Sequence, residues 1–178
     1  QLDLLYVHWP IRTYDPAETL PALDELVDDG LVRHVGLSNF EPDQLDVARD
    51  VLDAPVYAHQ VELHPLLHQD RLRAYAVEHD HWLVAYAPVA RGAVADVPEL
   101  VEIADAHDAT PFQVALAWLL SKERVVPIPK ATGEAHIREN YAALELELTA
   151  DELARIDAIE ERRRLVDFDA APWNRGAS

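Results

Sequence analysis

The chain has 178 residues, 49% of them apolar, and a formal net charge of −18. That is enough apolar material for one full core and too much for a disordered chain, while so acidic a composition opposes nucleic acid or an anionic membrane as partner. The absence of cysteine removes disulfides and thiolate metal sites, and no apolar stretch is long enough to span a bilayer.

The first element is the run LDLLYVHWP at residues 2–10. Leu2, Leu4, Leu5, Tyr6 and Val7, broken only by Asp3, give the near-continuous apolar pattern of a strand covered on both faces. Pro10 cannot donate to a ladder, so the strand stops before it and His8 stands where strand gives way to loop. Parallel α/β proteins act on ligands from that position. The chain opens inside this strand and contains no methionine, so it is expected to be a piece of a longer protein. Lys122 and Lys130 are the only lysines. An acid excess with so little lysine resembles proteins of salt-loving organisms, where screening acts within about 3 Å at 1 M salt.

Residues 16–30 form a helix, with Ala17, Leu20, Leu23, Leu26 and Val27 at helical spacing and Gly30 as its stop. A strand follows at 33–38, ending in Ser38, Asn39 and Phe40. A helix at 41–52 carries Leu45, Ala48 and Leu52 as its stripe, and a third strand at 56–63 ends at His64 and Pro65. The pattern then gives a helix at 70–80, a strand at 82–87 ended by Pro88, and helices at 98–107 and 111–122, with Thr110 as N-cap and Pro111 at the first helical position. A fifth strand at 124–128 is closed by Pro129. Helices at 133–144 and 151–159 come last, the second with a Thr149–Glu152 capping box. The tail at 162–178 has no period and is expected to be coil.

Strands alternating with helices argue for βα units and a parallel sheet. No glycine-rich fingerprint follows any strand, so a doubly wound nucleotide-binding sheet loses its main support. The expected fold is α/β: an incomplete (β/α)8 barrel of about five units plus C-terminal helices, all one domain over 1–178. A full barrel needs about 250 residues, so roughly three units, or about 90 residues, lie outside the chain. Strand C-termini then bring together His8 and Trp9; Ser38 and Asn39; Gln60, Glu62 and His64; Tyr86; and Pro129 with Lys130. This set suits an uncharged amide or carbonyl and a flat ring better than a metal.

LDLLYVHWP, VRHVGLSNF, HQVELHPLLHQ, AYAPVARG and VVPIPKATGEAHIREN, in this order and spacing, resemble the aldo-keto reductases over nearly the whole chain, from that family's fourth barrel strand onward. The resemblance implies a barrel enzyme that reduces aldehydes or ketones with NADPH. It makes His8 the histidine that orients the substrate carbonyl and Trp9 a substrate-pocket aromatic. Ser38, Asn39 and Gln60 would hold the nicotinamide carboxamide, since their side chains offer both donors and acceptors. Tyr86 would stack on the nicotinamide ring. Lys130 and Thr132 would contact the 2′-phosphate, and Glu139 and Asn140 the adenine. Two positions depart from the pattern: His136 stands where the family often has arginine, and Ala87 where a serine is common. NADPH stays the expected cofactor because Lys130 is kept, and a neutral His136 also admits NADH.

His59, Glu62, His64 and His68 raise the question of a metal. In a strand Gln60, Glu62 and His64 share one face and His59 takes the other, but the family pattern accounts for them without a metal, and none is expected. His64 and His68 are expected to be loop histidines, and Asp24, Glu25, Asp28 and Asp29 solvated surface. The family's catalytic tyrosine, aspartate and lysine are not in the chain, so the piece is expected to be inactive alone. The short tail after Trp173 points to a small-substrate enzyme, cytoplasmic and monomeric at full length. A non-catalytic cofactor-binding or regulatory module of the same fold is the alternative, and a different (β/α)8 enzyme with convergent strand ends a third.

Overall fold

The computed structural model describes residues 1–174. Five strands form one parallel sheet in chain order: β1 (Leu2–Val7), β2 (Val32–Ser38), β3 (Val56–Glu62), β4 (Trp82–Tyr86) and β5 (Val125–Pro127). Seven α-helices accompany them: α1 (Pro16–Asp28), α2 (Pro42–Val51), α3 (Asp70–Glu78), α4 (Pro98–Ala106), α5 (Pro111–Leu120), α6 (Glu134–Ala142) and α7 (Ala150–Asp157). Every expected strand and helix is present, its ends moved by a residue or two. The tail expected as coil carries a short 3-10 turn at Pro172–Asn174. Residues 175–178 of that coil expectation lie outside the described residues. Among the described residues no helix is long and apolar enough to cross a membrane.

The chain divides into two compact units. One holds Gln1–Val61, Asp70–Leu83 and the tail from Asp167; the other holds Glu62–Gln69 and Val84–Val166. In the first, Leu20, Val35, Leu37, Phe40, Leu45 and Ala48 are fully buried between sheet and helices. Asp15 caps α1 by accepting from the Ala17 N–H at 2.9 Å, and Gly30 takes the left-handed φ of +67° that ends it. β1 departs from expectation. Leu2 is 55% exposed and Leu4 to Val7 are only half-buried, because among the described residues this strand lies at the sheet edge with a strand neighbour on one side. Asp24 is not merely solvated surface either: its carboxylate accepts from the Asp53 and Ala54 N–H groups at 3.0 and 2.9 Å, tying α1 to the turn before β3.

Tyr6 and Gly36 are register partners on β1 and β2, and the Tyr6 ring lies over the glycine. A Cβ at position 36 would stand 2.5 Å from Tyr6 Cε1. Gly36→Ala is therefore expected to push the ring aside and cost about 1–3 kcal/mol, read as a lower urea midpoint at unchanged slope.

In the second unit α5 is buried along Val114–Leu119, as its unbroken apolar sequence requires. Thr110 caps it and Thr149 caps α7, both as expected, and Gln113 and Glu152 complete reciprocal capping boxes. Trp118, fully buried, donates its Nε1–H to Asp157 at 2.8 Å and so joins α5 to α7. Lys122 binds the same carboxylate at 2.7 Å and sits 4.8 Å over the indole.

Candidate active site

In the first unit, the ends of β1, β2 and β3 are joined by one hydrogen-bond network. β2 and β3 run in register to the pair Ser38–Gln60, and the Asn39 N–H still reaches the Gln60 carbonyl at 2.9 Å. Asn39 then takes φ of +64° and turns the chain out of the sheet. Asparagine is one of the few side-chain-bearing residues that adopt this conformation cheaply. Its Nδ2 donates to the His8 carbonyl at 3.1 Å and to Ser38 Oγ at 3.0 Å, and Ser38 Oγ donates to the Gln60 carbonyl at 3.0 Å. Ser38 and Asn39 are buried at 2% and 3% exposure.

The chemistry of this clamp follows from counting hydrogens. Both Nδ2 hydrogens of Asn39 are engaged inside the protein, so its amide has no hydrogen left to donate to a ligand. Gln60 is half-buried beside the Tyr6 hydroxyl, whose pKa burial raises while the Gln60 bond lowers it, for a net rise. The His8 imidazole is exposed while its backbone is fixed by Asn39. Of the expected strand-end residues, the structure thus brings His8, Ser38, Asn39 and Gln60 together.

Trp9 is half-buried and sits in an aromatic cluster. Phe168 meets it edge-on at 5.0 Å, Trp173 lies 5.7 Å away and His8 6.0 Å. The Asp167 carboxylate shapes the tail by accepting from Trp173 Nε1 and Asn174 Nδ2 at 2.9 and 2.8 Å. Phe168 and Trp173 were not legible as neighbours of Trp9. The available signal was two large aromatics in a tail with no regular period.

In the second unit, Glu62 and His64 do not serve as open site residues. The Glu62 carboxylate accepts from the Leu165 and Val166 N–H groups at 2.7 and 2.8 Å and from His64 Nε2 at 2.9 Å. His64 and His68 lie in the loop between β3 and α3, as expected, and both are buried there, at 0% and 3% exposure. His68 Nε2 lies 2.7 Å from the Pro65 carbonyl and its ring 5.1 Å from Trp118. Tyr86, half-buried at the end of β4, has its phenol pKa raised by burial first and by the nearby Glu62 charge second, so it presents a neutral ring.

Lys130, Thr132 and His136 are exposed on the turn before α6 and on its first turn, with Glu139 and Asn140 half-buried behind them. Gly133 starts α6 with no side-chain cap, leaving N–H groups that favour an anion. Glu139 is committed to the protein: it accepts from Thr110 Oγ1 at 2.8 Å and pairs with His136 at 3.2 Å, and its backbone carbonyl accepts from Gln113. Asn140 lines an apolar cavity of about 320 Å³ with Leu116, Pro129 and Tyr141.

A family model described as the aldo/keto reductase family matches residues 1–161. An aldo-keto reductase of Mycolicibacterium vanbaalenii is 36% identical over 92% of this chain and 58% of its own length. The glyoxal reductase of Bacillus subtilis is 35% identical over 92% of this chain and 59% of its own. Among solved structures, a variant of the protein Gox0644 in complex with NADPH superposes with a TM-score of 0.85 at 32% identity, over 96% of this chain and 62% of that one. The chain therefore spans about three fifths of the length of the relatives it matches. With most of the chain inside one family model and its fold shared with solved aldo-keto reductases, it belongs to the aldo/keto reductase family.

Proposed function

We propose that the chain carries the cofactor half of a carbonyl reductase, binding NADPH in preference to NADH, in a single (β/α)8 barrel domain whose later units it comprises. The observation that carries the reading is the Asn39 clamp. It fixes Ser38, Asn39 and the His8 backbone at one point with the Asn39 donors already used, and Gln60 beside it carries both donor and acceptor groups suited to a nicotinamide carboxamide. Tyr86 supplies a neutral ring for the nicotinamide face. Lys130, with Thr132 and the uncapped start of α6, suits the 2′-phosphate. The half-buried Asn140 and the committed Glu139 leave the adenine contact to Asn140 first. When bound, the cofactor supplies a hydride. His8 then acts as donor and guide for a substrate carbonyl, and Trp9 with Phe168 and Trp173 gives that substrate an apolar wall. The family's catalytic tyrosine, aspartate and lysine come from sequence this chain does not contain, so the chain alone binds without turnover. The NADPH held by Gox0644 supports the cofactor class.

Fluorescence titration of the chain tests this. Micromolar NADPH binding is expected, and Lys130→Ala is expected to weaken NADPH about ten- to hundredfold while leaving NADH nearly unchanged, because one charge-assisted phosphate bond is lost. Failure to bind either cofactor overturns the reading. Oxidation of NADPH by the chain with a simple aldehyde overturns the claim that the catalytic set lies elsewhere.

A further inference from the structure

We infer that His59 is a positioning residue for the carboxamide site, acting through the backbone N–H of Phe40. The inference rests on the nicotinamide reading above. Its physical basis is the point where the β2–β3 ladder ends. Ser38 pairs with Gln60, and the Asn39 N–H makes the last strand-like bond, to the Gln60 carbonyl. Asn39 then turns into the left-handed region, which carries the next donor, Phe40 N–H, away from any strand carbonyl. Phe40 is 1% exposed, so water is not an alternative partner. The His59 imidazole takes the bond instead: Nε2 lies 3.2 Å from the Phe40 nitrogen.

An acceptor Nε2 must be unprotonated, which places the single hydrogen of a neutral imidazole on Nδ1. Nδ1 is itself buried and has no hydrogen-bond partner among the described residues. The ring is fully buried, with His81 6.2 Å away and edge-on. The protein thus holds a polar ring in its core with one nitrogen unused, and the nitrogen it does use fixes the residue after Asn39. Because Asn39 owes its place to the turn on both sides, loosening Phe40 loosens the Nδ2 bonds to His8 and Ser38. His59 touches neither cofactor nor substrate in this account. It fixes the turn that carries Asn39 and its bonds to His8 and Ser38.

The test compares two probes on the 178-residue chain: NADPH, and adenosine 2′,5′-bisphosphate, which lacks the nicotinamide. His59→Phe keeps a flat ring and removes the acceptor. It is expected to weaken NADPH about tenfold while the bisphosphate stays within about twofold. His59→Gln, whose Oε1 can only accept, is expected to bind both like the unaltered chain. Unchanged NADPH affinity in His59→Phe overturns the inference, as does equal weakening of both probes. Binding of neither probe to the unaltered chain removes the nicotinamide reading, and this inference with it. Nitrogen NMR of the unaltered chain gives a result that needs no variant. Nε2 is expected as an unprotonated acceptor coupled to a slowly exchanging Phe40 amide, and a hydrogen on Nε2 overturns the proposal.

Discussion

Glu62→Ala should destabilise the chain by about 2–4 kcal/mol, the cost of taking a shared acceptor away from three donors. Against the 5–15 kcal/mol that holds a typical domain folded, that is a large fraction of the total. The carboxylate is fully buried and survives there as an anion because donors surround it. His64 Nδ1 accepts from the Leu66 N–H at 3.2 Å, so the hydrogen of a neutral His64 sits on Nε2 and points at Glu62. Leu165 and Val166 supply two more N–H groups. Burial pushes the Glu62 pKa up, and the bonds from His64, Leu165 and Val166 outweigh it, leaving the group below its ordinary 4.5. The same contact fixes the strap over 162–166, helped by Arg163 N–H on the Leu66 carbonyl at 2.7 Å. Alanine takes the acceptor from the buried His64 Nε2, at about 1–3 kcal/mol, and from the half-buried Leu165 and Val166 N–H groups, at less each because water can reach them. Urea unfolding should show a lower midpoint, and hydrogen exchange should rise at Leu165 and Val166. Glu62→Gln, which keeps one acceptor oxygen, should fall between. An unaltered midpoint in Glu62→Ala would show that the cluster is not under tension from burial.

The parts of this molecule that were legible in the sequence are those specified by neighbours along the chain. Pro10, Gly30, Thr110–Pro111 and Thr149–Glu152 mark the ends of elements through local backbone chemistry, and the structure places ends there. His8 and the Ser38–Asn39 pair were legible as strand ends for the same reason. Contacts between distant segments were not. Nothing in VELHP announces that Glu62 will bind residues more than a hundred positions later. Side-chain bonds to backbone N–H groups need no particular residue on the donor side, so they leave no trace in composition. The backbone bonds of Asp24 went unread on this ground, and so did the burial of His64 and His68 inside their loop, where Arg162 approaches His68 and Glu62 joins His64 to residues 165–166. β1 misled for the converse reason. Its apolar run reads as a strand covered on both faces, whereas at the sheet edge it is only half covered.

Acid should unfold the chain through two separable windows. His59 has its pKa lowered from 6.5 to about 3, by burial first and by the neighbouring His81 second. The folded state therefore binds fewer protons than the unfolded state between those values, and stability rises with pH across the interval. The contribution of His59 is complete above pH 6.5 and is lost at about 1.4 kcal/mol per unit as pH falls toward 3. From pH 6.5 to 4.5 the expected loss is about 2 kcal/mol. Glu62 acts lower. Its folded pKa is depressed, so its contribution stands above 4.5 and is lost as pH falls through the folded value. Glu152, lowered by the Thr149 backbone bond first and by His107 after it, shares that lower window. Repulsion among the surface carboxylates of a chain with net charge −18 works in the opposite direction, easing as they protonate. Unfolding should therefore be followed at about 1 M salt, where screening shortens to about 3 Å. His59→Gln should flatten the curve between pH 6.5 and 4.5 and leave the lower drop intact, while Glu62→Gln should reduce only the lower drop. A His59→Gln slope equal to that of the unaltered chain would mean that the buried imidazole is not the group taking up the proton, and the bond to Phe40 would lose its pH signature with it.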